Sequence, residues 1–225
     1  MSLQLAAPAN ERPTRSRFSL PPGPQGVRCT AWHWSRDRSE AAASVVLVYP
    51  GPRRKRPSAC RDAGRFLTTV LMTDIVDSTG TATRLGDRRW REVLARHYAA
   101  CRAEIERGAG ELVNTTGDGV VAIFDGPARA VRAAIAIQAI ARASGIAVRA
   151  GLHAGECERL GDGLAGVAVH IAARVCALGG ADDVMTTGTV RDLVVGSMLV
   201  FDPRGHHELK GVPGRVPVFS ATDPA

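Results

Sequence analysis

No stretch of this 225-residue sequence approaches the roughly 20 consecutive apolar residues that a membrane-spanning helix requires. The longest apolar run near the start, Ala41 to Tyr49, has nine residues. An opening apolar core of about 7–15 residues is missing too, so no secretory leader is expected. Cysteine is sparse and unpatterned: the five residues Cys29, Cys60, Cys101, Cys157 and Cys176 are odd in number and share no CxxC spacing. That excludes a disulfide framework and a zinc knuckle, and it points to reduced thiols in a cytoplasmic protein. No segment repeats at a period of about 20–50 residues, which excludes a solenoid or a propeller.

Acidic residues are scarce in one part of the chain only. Residues 1–65 hold 4 Asp+Glu against 12 Lys+Arg, whereas the remaining residues hold 18 against 17. The formal net charge of +7 therefore belongs to the first third, which also contains eight of the 13 prolines and the run Arg53-Arg54-Lys55-Arg56. Such composition predicts a largely disordered basic arm with at most one short strand, Ser44 to Tyr49. Nucleic acid or anionic lipid is a conceivable tether for the arm, but no DNA-binding helix pair accompanies it, and nucleic acid is not the expected partner.

From Phe66 the pattern becomes that of a folded domain, expected over 66–221 with a short tail at 222–225. Phe66 to Met72 reads as a buried strand. Ser78-Thr79 supplies helix-capping chemistry, and a helical face of Trp90, Val93, Leu94, Tyr98 and Ile105 runs over about 83–107. Glu111–Asn114 and Val120–Phe124 form two strands around a hairpin signal, Thr116-Gly117-Asp118-Gly119. Pro127 opens a helix ending near Ala143, and Ile146–Leu152 is a further strand. The order β-α-β-β-α-β is the ferredoxin-like arrangement of an α+β protein. A helix at Val167–Leu178, a strand at Val184–Thr187, a helical turn at Thr189–Val195 and strands at about 198–209 and 216–220 follow it.

Two aspartates stand out within this frame. Asp74 follows the first strand, and Asp118 lies at the hairpin tip. Alone, the first is a candidate helix cap and the second a turn residue. Together, on strands that pair centrally in this topology, they form a repelling pair unless cations bridge them. Carboxylate and phosphate oxygens suit Mg2+ or Mn2+, and the backbone from Ile75 to Thr79, at a helix start, suits a polyphosphate. By composition alone, Arg174 reads as a surface arginine, Lys210 as a turn lysine and His153 as a packed structural histidine. The neighbours His206 and His207 point to opposite faces of a strand, which excludes a shared zinc site.

Thr73-Asp74-Ile75-Val76-Asp77-Ser78-Thr79, followed by Thr115-Thr116-Gly117-Asp118-Gly119, resembles the class III nucleotide cyclase catalytic domain. Gly151-Leu152-His153-Ala154-Gly155-Glu156, Ala172-Ala173-Arg174 and Leu209-Lys210-Gly211-Val212 continue the resemblance in order. It implies a cyclase fold assembled as a head-to-tail homodimer, or as a heterodimer with another cyclase domain, with sites at the interface. It implies two Mg2+ or Mn2+ ions per site, held by Asp74, Asp118 and the backbone of Ile75. The loop Ile75, Val76, Asp77, Ser78 and Thr79 and the side chain of Lys210 are expected to hold the triphosphate. Arg174 is expected to stabilise the transition state at the α-phosphate. The implied reaction turns a nucleoside triphosphate, ATP rather than GTP on balance, into a 3′,5′-cyclic nucleotide and pyrophosphate.

Three positions depart from the pattern of a standard adenylate cyclase. Asn114 replaces the lysine that reads adenine. Gly163, beside Asp162, replaces that lysine's acidic or hydroxyl partner. His170 replaces the asparagine that acts with Arg174, and it keeps the i, i+4 spacing. Relaxed base selectivity and a turnover lowered by the order of 10²-fold are expected where one transition-state donor is misplaced. The alternative expectation is a degenerate domain that binds nucleotide or dimerises as a regulatory module.

Overall fold

The computed structural model describes residues 16–19, 30–33 and 64–224. The chain forms two units, Met1–Gly51 and Pro52–Ala225. In the first unit, β1 (Ser16–Ser19) and β2 (Thr30–His33) pair antiparallel, a pairing that the proline-rich sequence did not suggest. The strand expected at 44–49 and most of the basic arm lie outside the described residues.

The second unit carries the sheet that positions the site. Its strands are β3 (Phe66–Ile75), β4 (Glu111–Thr116), β5 (Gly119–Phe124), β6 (Val148–Leu160), β7 (Gly163–Ala165), β8 (Val184–Thr187), β9 (Val200–Glu208) and β10 (Arg215–Thr222). Seven lie side by side in the order β4-β5-β3-β6-β8-β10-β9, and β7 pairs with the far end of β6. The run β4-β5-β3-β6 is the ferredoxin-like order expected from the sequence, with β3 central and antiparallel to both neighbours. The helices are α1 (Ser78–Leu85), α2 (Asp87–Arg107), α3 (Pro127–Ala143), α4 (Val167–Leu178) and α5 (Gly188–Leu193).

Alternation along β3 builds the two faces. Leu71 and Ile75 join the core beneath α2 and α3, with Cys101, Ile105, Val131 and Ile137. Val70 points the other way, into a smaller core with Val121, Ile123, Cys157 and two α4 residues, Ala168 and Ala172. A third cluster sets Ile171 and Val175 of α4 against Met185, Leu209 and Val218. Alanine fits where α4 meets the sheet because Gly151 and Gly155 of β6 bring the helix close. A Cβ on Gly151 would lie 2.2 Å from the Cys176 backbone nitrogen, and one on Gly155 would lie 2.9 Å from Cβ of Ala168.

Several local expectations are corrected. The helical stretch after Ser78 is two helices, broken at Gly86, whose φ of +76° only glycine adopts without strain. The α1 N-cap is Asp77, not Ser78 or Thr79, and it makes no side-chain cap bond. The strand expected at 146–152 starts at Val148 and runs to Leu160. Its added length pairs with β3 as far as Cys157 and then with β7 over Glu158, Arg159 and Leu160, and Arg159 also donates to both carboxylate oxygens of Glu111 on β4, at 3.0 and 2.5 Å.

Candidate active site

Asp74 is the penultimate residue of β3, inside the strand rather than after it. The two residues Gly117-Asp118 close the β4–β5 hairpin. Gly117 takes φ +77°, and the Asp118 N–H donates to the Thr116 carbonyl at 3.0 Å. Gly119 has a different task. A Cβ there would sit 2.0 Å from the Thr73 carbonyl oxygen, so only glycine lets β5 approach β3 this closely. Thr73 Oγ1 accepts the Val120 N–H at 3.2 Å in the same contact. From α2, the Tyr98 hydroxyl donates to the Gly117 carbonyl and ties down the tip. The sequence thereby brings Asp118 beside Asp74, as the topology predicted.

The pair is electrostatically loaded. Burial pushes the Asp74 carboxyl above the usual carboxylate range; hydrogen bonds from Arg149 pull it back, and the neighbouring Asp118 raises it again. Burial, with Asp118 adding to it, drives Tyr98 up to about 12, so its hydroxyl stays a donor. Cys176 is pushed up to about 12 by burial first and then by Asp74. Sequence reasoning missed Arg149. It stands directly across from Asp74 in the β3–β6 register, and its Nε–H and Nη2–H both donate to Asp74 Oδ2, at 2.9 and 2.5 Å. Aligning the two strands through their apolar residues is the signal that would have exposed it.

The donor set suits a hard divalent cation. Among the described residues no group of three or more His, Cys, Asp or Glu side chains converges. Two carboxylates side by side, completed by backbone and phosphate oxygens, match Mg2+ or Mn2+ chemistry. Beyond them, Ile75 is buried, and the Val76 N–H is spent on the Ala147 carbonyl at 2.9 Å. Asp77 adopts φ +51° with its carboxylate folded back over Gly80. Ser78 and Thr79 form the first turn of α1, which contains no acidic residue.

Lys210 is not gathered here, and among the described residues Arg174 makes no hydrogen bond or ion pair with the acidic pair. Strand directions put Asp74, Asp118 and the start of α1 at one end of the sheet. Strand β6 runs antiparallel to β3, β8 parallel to β6, β10 antiparallel to β8, and β9 antiparallel to β10. The β9–β10 turn carrying Lys210 is therefore at the opposite end, with β6, β8 and β10 standing between β3 and β9. Lys210 is exposed and lines a cavity of about 470 Å³ with Leu209, Val212 and Arg215. On α4 the buried residues are Ala168, Ile171, Ala172, Val175 and Cys176. His170 is exposed and Arg174 half-buried, on the helix side turned away from β6. No hydrogen bond or ion pair joins Asp74 to Arg174 or Lys210 among the described residues.

No protein-family model matches this chain, and no curated protein matches it in sequence. Its likeness is to solved structures. The adenylyl cyclase CyaB from P. aeruginosa superposes with a TM-score of 0.67 at 18% identity, over 72% of this chain and 96% of that one. The guanylate cyclase domain of RhGC from Catenaria anguillulae, solved with GTP, gives 0.65 at 23%, over 72% and 99%. The non-canonical dimeric guanylyl cyclase domain of the RhoGC fusion protein from Blastocladiella emersonii gives 0.64 at 20%, over 72% and 99%. The chain has the class III nucleotide cyclase fold. Within that cyclase fold, Asn114 and Gly163 have distinct settings. The half-buried Asn114 follows an irregularity in the β4–β5 register, and its Oδ1 already accepts the Thr115 N–H at 2.8 Å. Gly163 opens β7, where a Cβ would meet the Leu160 carbonyl at 3.4 Å, so the position has room for a side chain. His153 is the structural residue expected of it: Nδ1 lies 2.9 Å from Thr187 Oγ1, and burial lowers its pKa to about 4.

Proposed function

We propose that this protein is a metal-dependent nucleotidyl cyclase that works as a head-to-tail dimer, on ATP in preference to GTP. The observation that carries the reading is the acidic pair, Asp74 and Asp118, at one end of the sheet while Lys210 lies at the other and Arg174, among the described residues, makes no hydrogen bond or ion pair with either carboxylate. A second copy turned end for end supplies the missing cations to each acidic pair. Asp74, Asp118 and the Ile75 backbone would hold two Mg2+ or Mn2+ ions, which when bound activate the ribose 3′-hydroxyl and neutralise the triphosphate. The 3′-oxygen forms a bond to the α-phosphorus, the bond to the bridging oxygen breaks, and pyrophosphate leaves. Arg174 of one copy meets the charge developing on the α-phosphoryl oxygens, with His170 donating toward the ribose, and Lys210 pairs with the terminal phosphates. Loop residues Asp77 to Thr79 offer backbone N–H groups to the phosphates at the start of α1, whereas the Val76 N–H is already held by the Ala147 carbonyl.

The Asn114 side-chain oxygen is engaged locally and is not free to read a base, which supports weak base discrimination. No described helix is long and apolar enough to cross a membrane, and a cytoplasmic site of action fits the free thiols Cys101, Cys157 and Cys176. The test is cyclic nucleotide formation by the full chain with Mn2+ and either ATP or GTP. Asp74→Ala and Arg174→Ala are each expected to be inactive, and mixing them is expected to restore activity through one intact site per dimer. Turnover no greater than that of Asp74→Ala would refute the enzyme reading. The second reading, a regulatory nucleotide-binding or dimerising module, draws on the engaged Asn114 oxygen and predicts binding without turnover.

A further inference from the structure

We propose that Arg149 is a built-in counter-cation of the acidic pair, holding Asp74 in the metal-free protein and competing with divalent ions for it. This rests on the reading of Asp74 and Asp118 as metal ligands. The two residues face each other across antiparallel strands, and both guanidinium contacts fall on one oxygen, Oδ2. That leaves Oδ1 and the Asp118 carboxylate as the oxygens outside its grip. The side chains of Arg149 and Asp74 are 31% and 32% exposed, so the pair is partly withdrawn from water and weakly screened.

Arg149 is also held from behind. Its carbonyl accepts the Cys176 thiol at 3.7 Å, and α4 sits directly on Gly151, two residues on. The strand is therefore clamped beneath α4 while the guanidinium reaches Asp74. A guanidinium keeps its charge at every working pH, so it cannot yield to an incoming ion by losing a proton. With Arg149 in place the trio Asp74, Asp118 and Arg149 presents one net negative charge instead of two. A divalent cation must share Asp74 with the guanidinium or displace it, and the metal-free protein is spared most of the repulsion within the pair.

The experiment measures Mn2+ binding to the full chain without nucleotide, by paramagnetic resonance of the free ion, together with thermal unfolding in EDTA and in Mn2+. Arg149→Gln is expected to bind Mn2+ roughly tenfold tighter or more, as removal of a neighbouring positive charge requires. Its melting temperature is expected to fall in EDTA and to recover with Mn2+. Arg149→Lys keeps the charge but loses the two-pronged grip, and its affinity is expected to rise only about two- to threefold; it carries the test if Arg149→Gln does not fold. An affinity no higher than wild type in either folded variant overturns the proposal, as does a stability loss that Mn2+ leaves unchanged. Asp118→Asn separates the two levels. If it loses Mn2+ binding while the Arg149 variants gain none, only the counter-cation role falls. If it binds Mn2+ as wild type does, the metal reading falls with it.

Discussion

Two glycines that flank one aspartate are expected to fail in different ways. At Gly119 a Cβ would stand 2.0 Å from the Thr73 carbonyl oxygen, well inside any tolerable contact, and the obstacle is backbone at the centre of the sheet. Gly119→Ala must therefore push β5 from β3 by about 1 Å or more, at an overpacking cost of about 1–3 kcal/mol. The same displacement carries Asp118 away from Asp74, and a misplacement of about 1 Å costs catalysis of order 10²-fold. Gly117 has φ +77° and open space around its Cβ position. Gly117→Ala therefore costs only the left-handed backbone strain, about 1–2 kcal/mol, and leaves the pair in register. Urea unfolding, Mn2+ binding and turnover measured on both variants test this. Gly119→Ala is expected to lose stability, metal affinity and turnover together, and Gly117→Ala mainly stability. A Gly119→Ala variant that binds Mn2+ like wild type, or a Gly117→Ala variant that damages binding as much, would refute the reasoning.

Tyr98→Phe removes the hydroxyl that donates to Gly117 and is expected to cost about 1 kcal/mol, with turnover falling more than stability because the hairpin tip is freed; equal turnover in the two proteins would contradict this. The lowered pKa of His153, about 4, makes folding unfavourable to its protonation. Its stabilising contribution is complete above the unfolded value near 6.5 and is lost as pH falls from there through about 4, an effect of up to about 3 kcal/mol. His97, also lowered by burial, acts in the same direction. A urea titration at several pH values should show the slope flatten in His153→Gln, and an unchanged slope would exclude the role. Leu71→Ala, at a side chain with no solvent exposure, is expected to cost about 2–5 kcal/mol, measured by the same unfolding.

The sequence by itself determined the β-α-β-β-α-β order of the core and the two aspartates that meet on it, but not the β1–β2 pair, the split between α1 and α2, or β7. The apolar run through Phe66 to Met72, the Gly117-Asp118-Gly119 tip and Pro127 are local signals. Strand propensity, turn chemistry and helix starts depend on neighbours a few residues away, and they place β3, β5, α3 and α4 close to where the structure has them. Because a ferredoxin-like order forces β3 between β5 and β6, the approach of Asp74 to Asp118 was also legible. What lies beyond needs distances between segments remote in sequence. The Arg149–Asp74 contact spans 75 positions and exists only because the β3–β6 register sets those two residues opposite each other. The extension of β6 to Leu160 depends on its pairing with Phe66 of β3 and with the short strand β7. The break at Gly86 required a dihedral angle that periodicity does not carry. Above all, the placement of Lys210 at the end of the sheet opposite Asp74 follows from the directions of five strands taken together. A chain read residue by residue lists two acids and Lys210 as one site; the folded sheet holds them apart, because a strand's direction fixes which end its last residues occupy.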